Sequence, residues 1–574
     1  MNYSWRIAIP SSIALVFAVS ATGSLFAAEP TAPAAPAEPQ AAESQLDAET
    51  LFDALLGEIA AQRGQMGVAS EALGRAARRT RDPRFAERAT LAALYAKQYQ
   101  SALNAALLWV ELQPTSSDAR ESLASALLEL NRVPEAREHL AQVLDAEQAR
   151  GSLEPAFLRI AAVLGRTGNR NTALEAMREL IKRYPDFAAG HFALGHLAVR
   201  AGDLDAAEAA VDQALVLKPA WQEAALFKAR ILVSQKNTSR AQLYFEQFLK
   251  AHPDATNVRL HYARYLIDQK QWEQARDQFK RVVTDTPDDA DSTYAFALLA
   301  LQTNRLQEAE TYLKRTLKLR PDNDQARLYL GQALEQGKRY GDAVRVYGEV
   351  SPGEYYFEAQ TRIALMMAKQ GNVAKARAHL QAISVEDDQQ RVQAILVEEQ
   401  VLRDARDYRE ALNVLTASLE SLPGNKELLY ARALIAERLD MLALVESDLR
   451  AVLNVDPKNV NALNALGYTL ADRTDRYAEA HALLTQALEQ KPDDAFVLDS
   501  MGWLFYRQGN SPEAIKYLKR ALAIRSDAEI AAHLGEVLWV TGDRKEAESV
   551  WTRALKDTPD SEALRDTIKK FKSK

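Results

Sequence analysis

The chain has 574 residues, 47% of them apolar and 26% charged, with a formal net charge of −7. That apolar share is enough to fill packed cores and excludes wholesale disorder, and the mild acidity argues against a nucleic-acid binder, which carries a basic excess. The chain has no cysteine, so disulfides, thiolate metal sites, cysteine nucleophiles and a lipid-modified cysteine are excluded.

Residues 1–28 read as a secretory signal. One early cation, Arg6, precedes the uncharged stretch Ile7–Ala28, which closes on Ala27 and Ala28 before Glu29-Pro30. About 20 apolar residues also suffice to span a bilayer, so an uncleaved anchor is the alternative, weakened by Pro10, Gly23 and the serines of the stretch. In both cases the rest of the chain is expected outside the inner membrane, in the periplasm. Residues 29–45 are rich in Ala and Pro, cannot bury a face, and read as an extended tether. The helix that follows carries Leu51, Phe52, Leu55, Leu56 and Ile59. It reads as a solubility cap, with a docking helix as the alternative.

The body is a repeat array. Pro185, Pro219, Pro253, Pro287 and Pro321 stand 34 residues apart, as do Pro423 and Pro457. With proline as position 32, position 20 is alanine in every unit from Ala69 to Ala547 save Val445, Ala207 included. Position 8 is Gly or Ala except at Thr90 and Glu399, and is glycine at Gly195, Gly467, Gly502 and Gly535. Apolar residues recur at helical spacing within each half-unit, and turn residues such as Gly202-Asp203 separate the halves. The physics is two short helices per unit. Small residues at 8 and 20 let them approach, and proline at 32 (Pro219, for example) stops the second helix, because the residue before it avoids the helical region. One unit exposes an apolar face, and stacking neighbours buries it.

Two places depart from the pattern. Gln148–Leu153 is a small insertion. Ser351–Glu354 lacks the regular terminator, and Glu399 puts a carboxylate at the close-approach position. A soft point is expected between residues 350 and 400. The expected organisation is one solenoid over 46–350, an irregular hinge over 351–391, a second solenoid over 392–561, and a capping helix with a basic tail over 562–574.

These marks resemble the tetratricopeptide repeat family: the 34-residue period, Gly/Ala at 8, Ala at 20 and Pro at 32. A unit such as Ala495–Ala528 fits well. The resemblance implies an all-α fold, an α-solenoid wound as a right-handed superhelix of about fourteen or fifteen helix pairs. It also implies a concave groove lined mainly by the first helix of each unit.

No phosphate-binding glycine loop, GxSxG elbow or HExxH motif is present, and no catalytic residue, metal site or cofactor is expected. By helical spacing, positions 2, 5, 9, 12 and 13 face the groove. Position 9 reads His196, Arg230 and Arg264, with Arg200 at 13, a basic stripe. Nearer the C-terminus the same rows hold Asn464, Tyr468, Asp499, Trp503, Tyr506, Glu536 and Trp539, an aromatic strip with acids between. Aromatics and arginine are common anchors of protein interfaces. The alternative is that Trp503 and Trp539 pack against the adjacent unit. The expectation is that Trp503→Ala or Arg230→Ala weakens partner binding without unfolding the array.

A finer resemblance rests on Glu58–Gly64 (EIAAQRG), Thr80–Ala89, Asn464–Tyr477, Leu498–Asn510 and Ala531–Trp539. These segments are similar to the LbcA-type family of proteobacterial tetratricopeptide proteins. That family implies a periplasmic adaptor that binds a carboxyl-terminal processing protease and promotes degradation of cell-wall hydrolases. The family's lipidated cysteine is missing here, so lipid anchoring does not transfer. Membrane attachment is expected only through an uncleaved signal segment. An assembly scaffold for envelope or exopolysaccharide export is the alternative. Neither reading involves nucleic acid.

Overall fold

The computed structural model describes residues 47–166 and 169–572. Over these residues the chain is an α-solenoid of 31 helices, with no strand among the described residues. In chain order the first 30 form fifteen short pairs, and Glu562–Lys572 follows alone. The signal segment, the Ala/Pro tether and the end of the basic tail lie outside the described residues.

Each pair is punctuated by backbone chemistry. Inside most pairs one left-handed residue makes the turn, while Val460–Arg473 ends on extended Thr474 (φ −142). Gly202 (φ 82) ends helix Ala188–Ala201, and Asp203 then caps Leu204–Leu217 by accepting from the Ala206 amide at 3.0 Å. Lys236 and Lys270 do the same job at φ 58, a conformation that costs an L side chain roughly 1–2 kcal/mol. Between pairs, the residue before proline is pushed out of the helical region. Lys218 (φ −135, ψ 77) ends Leu204–Leu217 before Pro219, and Arg320 (φ −135) ends Leu306–Leu319 before Pro321.

The small positions are where helices touch. Every position-20 residue, Val445 included, is at most 3% exposed. A Cβ built on Gly195, Gly467 or Gly502 would lie 2.7 Å from Val211, Leu484 or Leu518, and one on Gly535 would run into the Trp551 indole. At these four units the second helix comes too close for a Cβ unless a neighbour shifts.

The chain divides into two compact units, the first closing at Thr303 and the second opening at Asn304. The first unit is built on one large cluster that includes Leu123, Phe157, Ile160, Leu180 and Phe227. In it the insertion lengthens helix Val133–Ala149 to 17 residues, which ends before Gly151 at φ 74. The second unit has a large cluster around Leu415, Leu449, Leu466 and Leu484, and a terminal one around Trp551 and Leu564. Residues 351–391 lie inside this unit, in its most irregular stretch. Helices Tyr340–Gly348 and Val373–Ala382 have only 9 and 10 residues, and loops follow each. Glu399 is 6% exposed and is held by Arg403 of its own helix at 2.7 Å. Burial raises its carboxyl pKa against the pull of Arg403. The closing helix Glu562–Lys572 buries Leu564 and stacks Phe571 on Trp551 at 6.4 Å. Its last turn carries Lys569, Lys570 and Lys572, as suits a helix C-terminus.

Candidate functional site: the first-helix face

In the first unit the expected stripe lies on helices Ala188–Ala201, Gln222–Ser234 and Thr256–Asp268. The His196 ring stacks on Phe227 with centroids 4.0 Å apart and planes 9° apart, and meets Phe192 edge-on at 4.7 Å. The Arg230 guanidinium lies 5.6 Å from the same Phe227 ring. Arg200 crosses over Gly165, where an added Cβ would sit 3.3 Å from its Cζ. Arg200 and Arg230 are exposed, while Arg264 is half-buried. Position 6 adds His261, which the sequence reading missed. That position precedes position 9 by three residues and so shares its helix face. Burial and then Arg230 lower the His196 pKa, and burial, Arg264 and Arg230 lower that of His261. Two exposed acids share the groove rows of these helices, Glu223 at position 2 and Asp268 at position 13.

The second unit uses the same positions differently. Here helix Val460–Arg473 packs on Ala495–Arg507, which packs on Ala528–Val540, which packs on the closing helix. Trp503 is 8% exposed, so it is a packing residue and not a groove anchor. Its indole N–H donates to Asp472 at 2.9 Å, and its ring stacks on His533 at 4.3 Å. The next unit's position 6 covers it. Arg507 reaches the same Asp472 at 3.1 Å. Asp499 is buried, and His533 Nδ1 donates to it, 3.0 Å from both carboxylate oxygens. Burial opposes charge on His533, but Asp499, Glu529 and Glu536 outweigh it and raise the imidazole pKa. Tyr468, half-buried beside His533, is pushed far up by burial and by Asp472, Asp499, Glu437 and Glu529. Tyr506 packs on Trp503 at 5.1 Å, and Glu536 is met by the Tyr506 hydroxyl at 3.5 Å and Lys570 Nζ at 3.3 Å. Trp539 is half-buried, stacked on Trp551 at 5.5 Å with Arg544 5.1 Å from its ring. Asn464 is buried, and its Oδ1 has no hydrogen-bond partner among the described residues.

The expectation that Trp503→Ala leaves the array folded is therefore corrected, because the side chain fills the contact between two units. The expectation for Arg230, which is exposed, is unaffected. His533 stands at position 6, outside the rows expected to face the groove, whereas Asp472 and Arg507 stand at position 13, within those rows, and were not singled out.

Among the described residues no three His, Asp or Glu side chains converge to hold a metal ion, and no helix is long and apolar enough to cross a membrane. An open cleft of about 600 Å³ lies beside Trp221 and Lys218. It presents no nucleophile–base pair.

Comparison with known proteins gives consistent matches. Tetratricopeptide repeat models match residues 158–224, 294–351 and 500–565, and residues 232–301. A TPR repeat-containing protein of Pseudomonas aeruginosa PAO1, PA4667, is 41% identical over 490 residues, which are 85% of this chain and 82% of that protein. Bacteriophage adsorption protein A of Escherichia coli K12 is 33% identical over 109 residues, 19% of this chain and 11% of that protein. Among solved structures, the APC/C hetero-tetramer Cut9-Hcn1 matches with a TM-score of 0.33 at 15% identity, over 91% of this chain and 96% of that one. TTC0263, a thermophilic TPR protein of Thermus thermophilus, matches with a TM-score of 0.29 at 23% identity, over 30% of this chain and 95% of that one.

Proposed function

The chain belongs to the tetratricopeptide repeat family, a protein-interaction scaffold, and from that premise we propose that it is a non-catalytic periplasmic adaptor. It docks a carboxyl-terminal processing serine protease through its first helix and presents cell-wall hydrolase substrates along the first-helix face. The signal-like Ile7–Ala28 stretch supports export. The finer sequence resemblance supports the protease partner.

One observation carries the docking role. In helix Ala48–Gln62, Leu51, Phe52, Leu55 and Ile59 are 49, 63, 52 and 47% exposed. The side that packs on helix Met66–Thr80 buries Gly57 and Ala60 against Leu73 and also holds Asp53, bound by Arg75 at 2.7 Å and Arg79 at 2.8 Å. A terminal cap needs a polar outer face. This helix has an apolar outer face instead, which marks a contact surface. Covering half-exposed side chains of this size yields on the order of 1 kcal/mol each.

The test is affinity capture from envelope extract with the native chain and with Phe52→Asp/Ile59→Asp. The expected result is a serine protease recovered by the native chain and lost by the variant, with melting unchanged. Recovery of an outer-membrane channel or polysaccharide synthase in place of a protease would favour an export scaffold.

A further inference from the structure

The stripe in the first unit has a chemistry that specifies its guest. Arg200 and Arg230 are exposed, and no carboxylate meets either among the described residues, although the chain as a whole carries a net charge of −7. Arg230 rests against Phe227, which also carries His196, so the cation is held by an aromatic floor with its N–H donors free to face outward. His261 lies within electrostatic reach of Arg230 and Arg264, which relates helix Thr256–Asp268 to Gln222–Ser234. Beside the cations stand exposed valines: Val199, next to Arg200, is 37% exposed, and Val233, three residues after Arg230, is 42% exposed. The surface alternates charge with apolar contact.

We propose that the part of this row on helices Ala188–Ala201 and Gln222–Ser234 docks an acidic polypeptide segment whose carboxylates meet Arg200 and Arg230 and whose apolar side chains meet Val199 and Val233. A polysaccharide or nucleic acid offers the negative charge but no apolar side chains for the valines. Packed helices lie about 8–10 Å apart, and an extended chain advances about 3.3 Å per residue, so the matching segment is extended and acidic at about every third position. Carboxylate–arginine pairs add register and bidentate geometry. The inference rests on the reading of the chain as a holder of polypeptides but not on the protease.

The experiment titrates the full chain with labelled acetylated peptides of about twelve residues: a Glu-Leu-Ser repeat, its Gln-Leu-Ser counterpart and its Lys-Leu-Ser counterpart, and with an oligo-uronate of matching charge. The Glu peptide is expected to bind in a salt-sensitive way, and the Gln peptide about tenfold more weakly. Arg200→Glu/Arg230→Glu is expected to lose the Glu peptide and gain the Lys peptide, with Arg200→Gln/Arg230→Gln intermediate and the melting of both variants unchanged. Equal binding of the Glu and Gln peptides, tighter binding of the uronate, or indifference to the arginine variants would overturn the proposal. Protease capture that survives loss of peptide binding sinks this inference alone. Peptide binding by a chain that recovers no protease sinks the adaptor reading alone.

Discussion

The two units place histidine on the same helix face, His196 at position 9 and His261 and His533 at position 6, and surround it with opposite charge. In the first, His196 and His261 are pressed by arginines. In the second, His533 is gripped by Asp499 beneath the Trp503 ring, with Glu529 and Glu536 near. The lesson is that the solenoid decides where side chains stand and the sequence decides whether they are used internally. Charges in the second unit close on each other, as Arg507 with Asp472 and Lys570 with Glu536, and hold helices together. Arg200 and Arg230 of the first unit meet no carboxylate among the described residues and are available to a guest.

The sharpest way to break this comparison is to exchange a member of each row for alanine. Trp503→Ala should cost about 3–5 kcal/mol of the second unit's stability, as large aromatic truncations in packed sites do. Arg230→Ala should stay within about 0.5 kcal/mol. Chemical unfolding followed by hydrogen exchange in each unit reads both. Comparable losses would erase the distinction between an internal and an external row.

Next in size is the close-approach glycine. Gly535→Ala drives a Cβ into the Trp551 indole and should cost about 1–3 kcal/mol or more, and it should exceed Gly502→Ala, whose Cβ meets Leu518 at 2.7 Å and the Ala514 carbonyl oxygen at 3.2 Å. Thermal unfolding ranks the two. A smaller effect of the opposite sign is expected at Glu399. Its buried carboxylate sits at a position that is otherwise small, and its partner Arg403 is partly exposed and can reach water. Glu399→Ala should therefore raise stability by up to about 1 kcal/mol. A loss would show that the Glu399–Arg403 pair is net stabilising.

The smallest effect is in pH, and it has opposite signs in the two units. Because the folded pKa of His533 is raised, the stability it contributes is full below the ordinary histidine value of about 6.5. That stability fades as pH rises through the raised value. His196 is lowered by burial and by Arg230, so its contribution is whole above that range and fades as pH falls through it. On acidification, His533→Gln should become more destabilising and His196→Gln less so, or even stabilising. Parallel trends for the two variants would contradict the assigned surroundings.

Much of the fold was legible because a backbone contact repeated fifteen times leaves a strong trace. Alanine at position 20, from Ala69 to Ala547, is the place where two helices touch, and Pro219 or Pro321 is the place where a helix must stop. The division at Thr303/Asn304 was not legible, since Asn304 takes the same left-handed turn (φ 56) as Lys270 (φ 58) before it. The burial of Trp503 was not legible either. Position 9 faces open space only when the next unit leaves it uncovered, and His533 covers this one. The irregular 351–391 stretch was visible as a break in the proline rhythm, and it remains the expected soft point, with short helix Val373–Ala382 inside it and short helix Tyr340–Gly348 just before it. Faster exchange there than in Val460–Arg473 would bear that out.

Hydrogen exchange of the full chain, alone and with the protease it recovers, tests the central claim most directly. The expected result is slowed exchange in Ala48–Gln62 and in the helices bearing Arg200 and Arg230 once protease and substrate are bound, with Val460–Val540 unchanged. Protection centred on Val460–Val540, or none in the first helix, would contradict it.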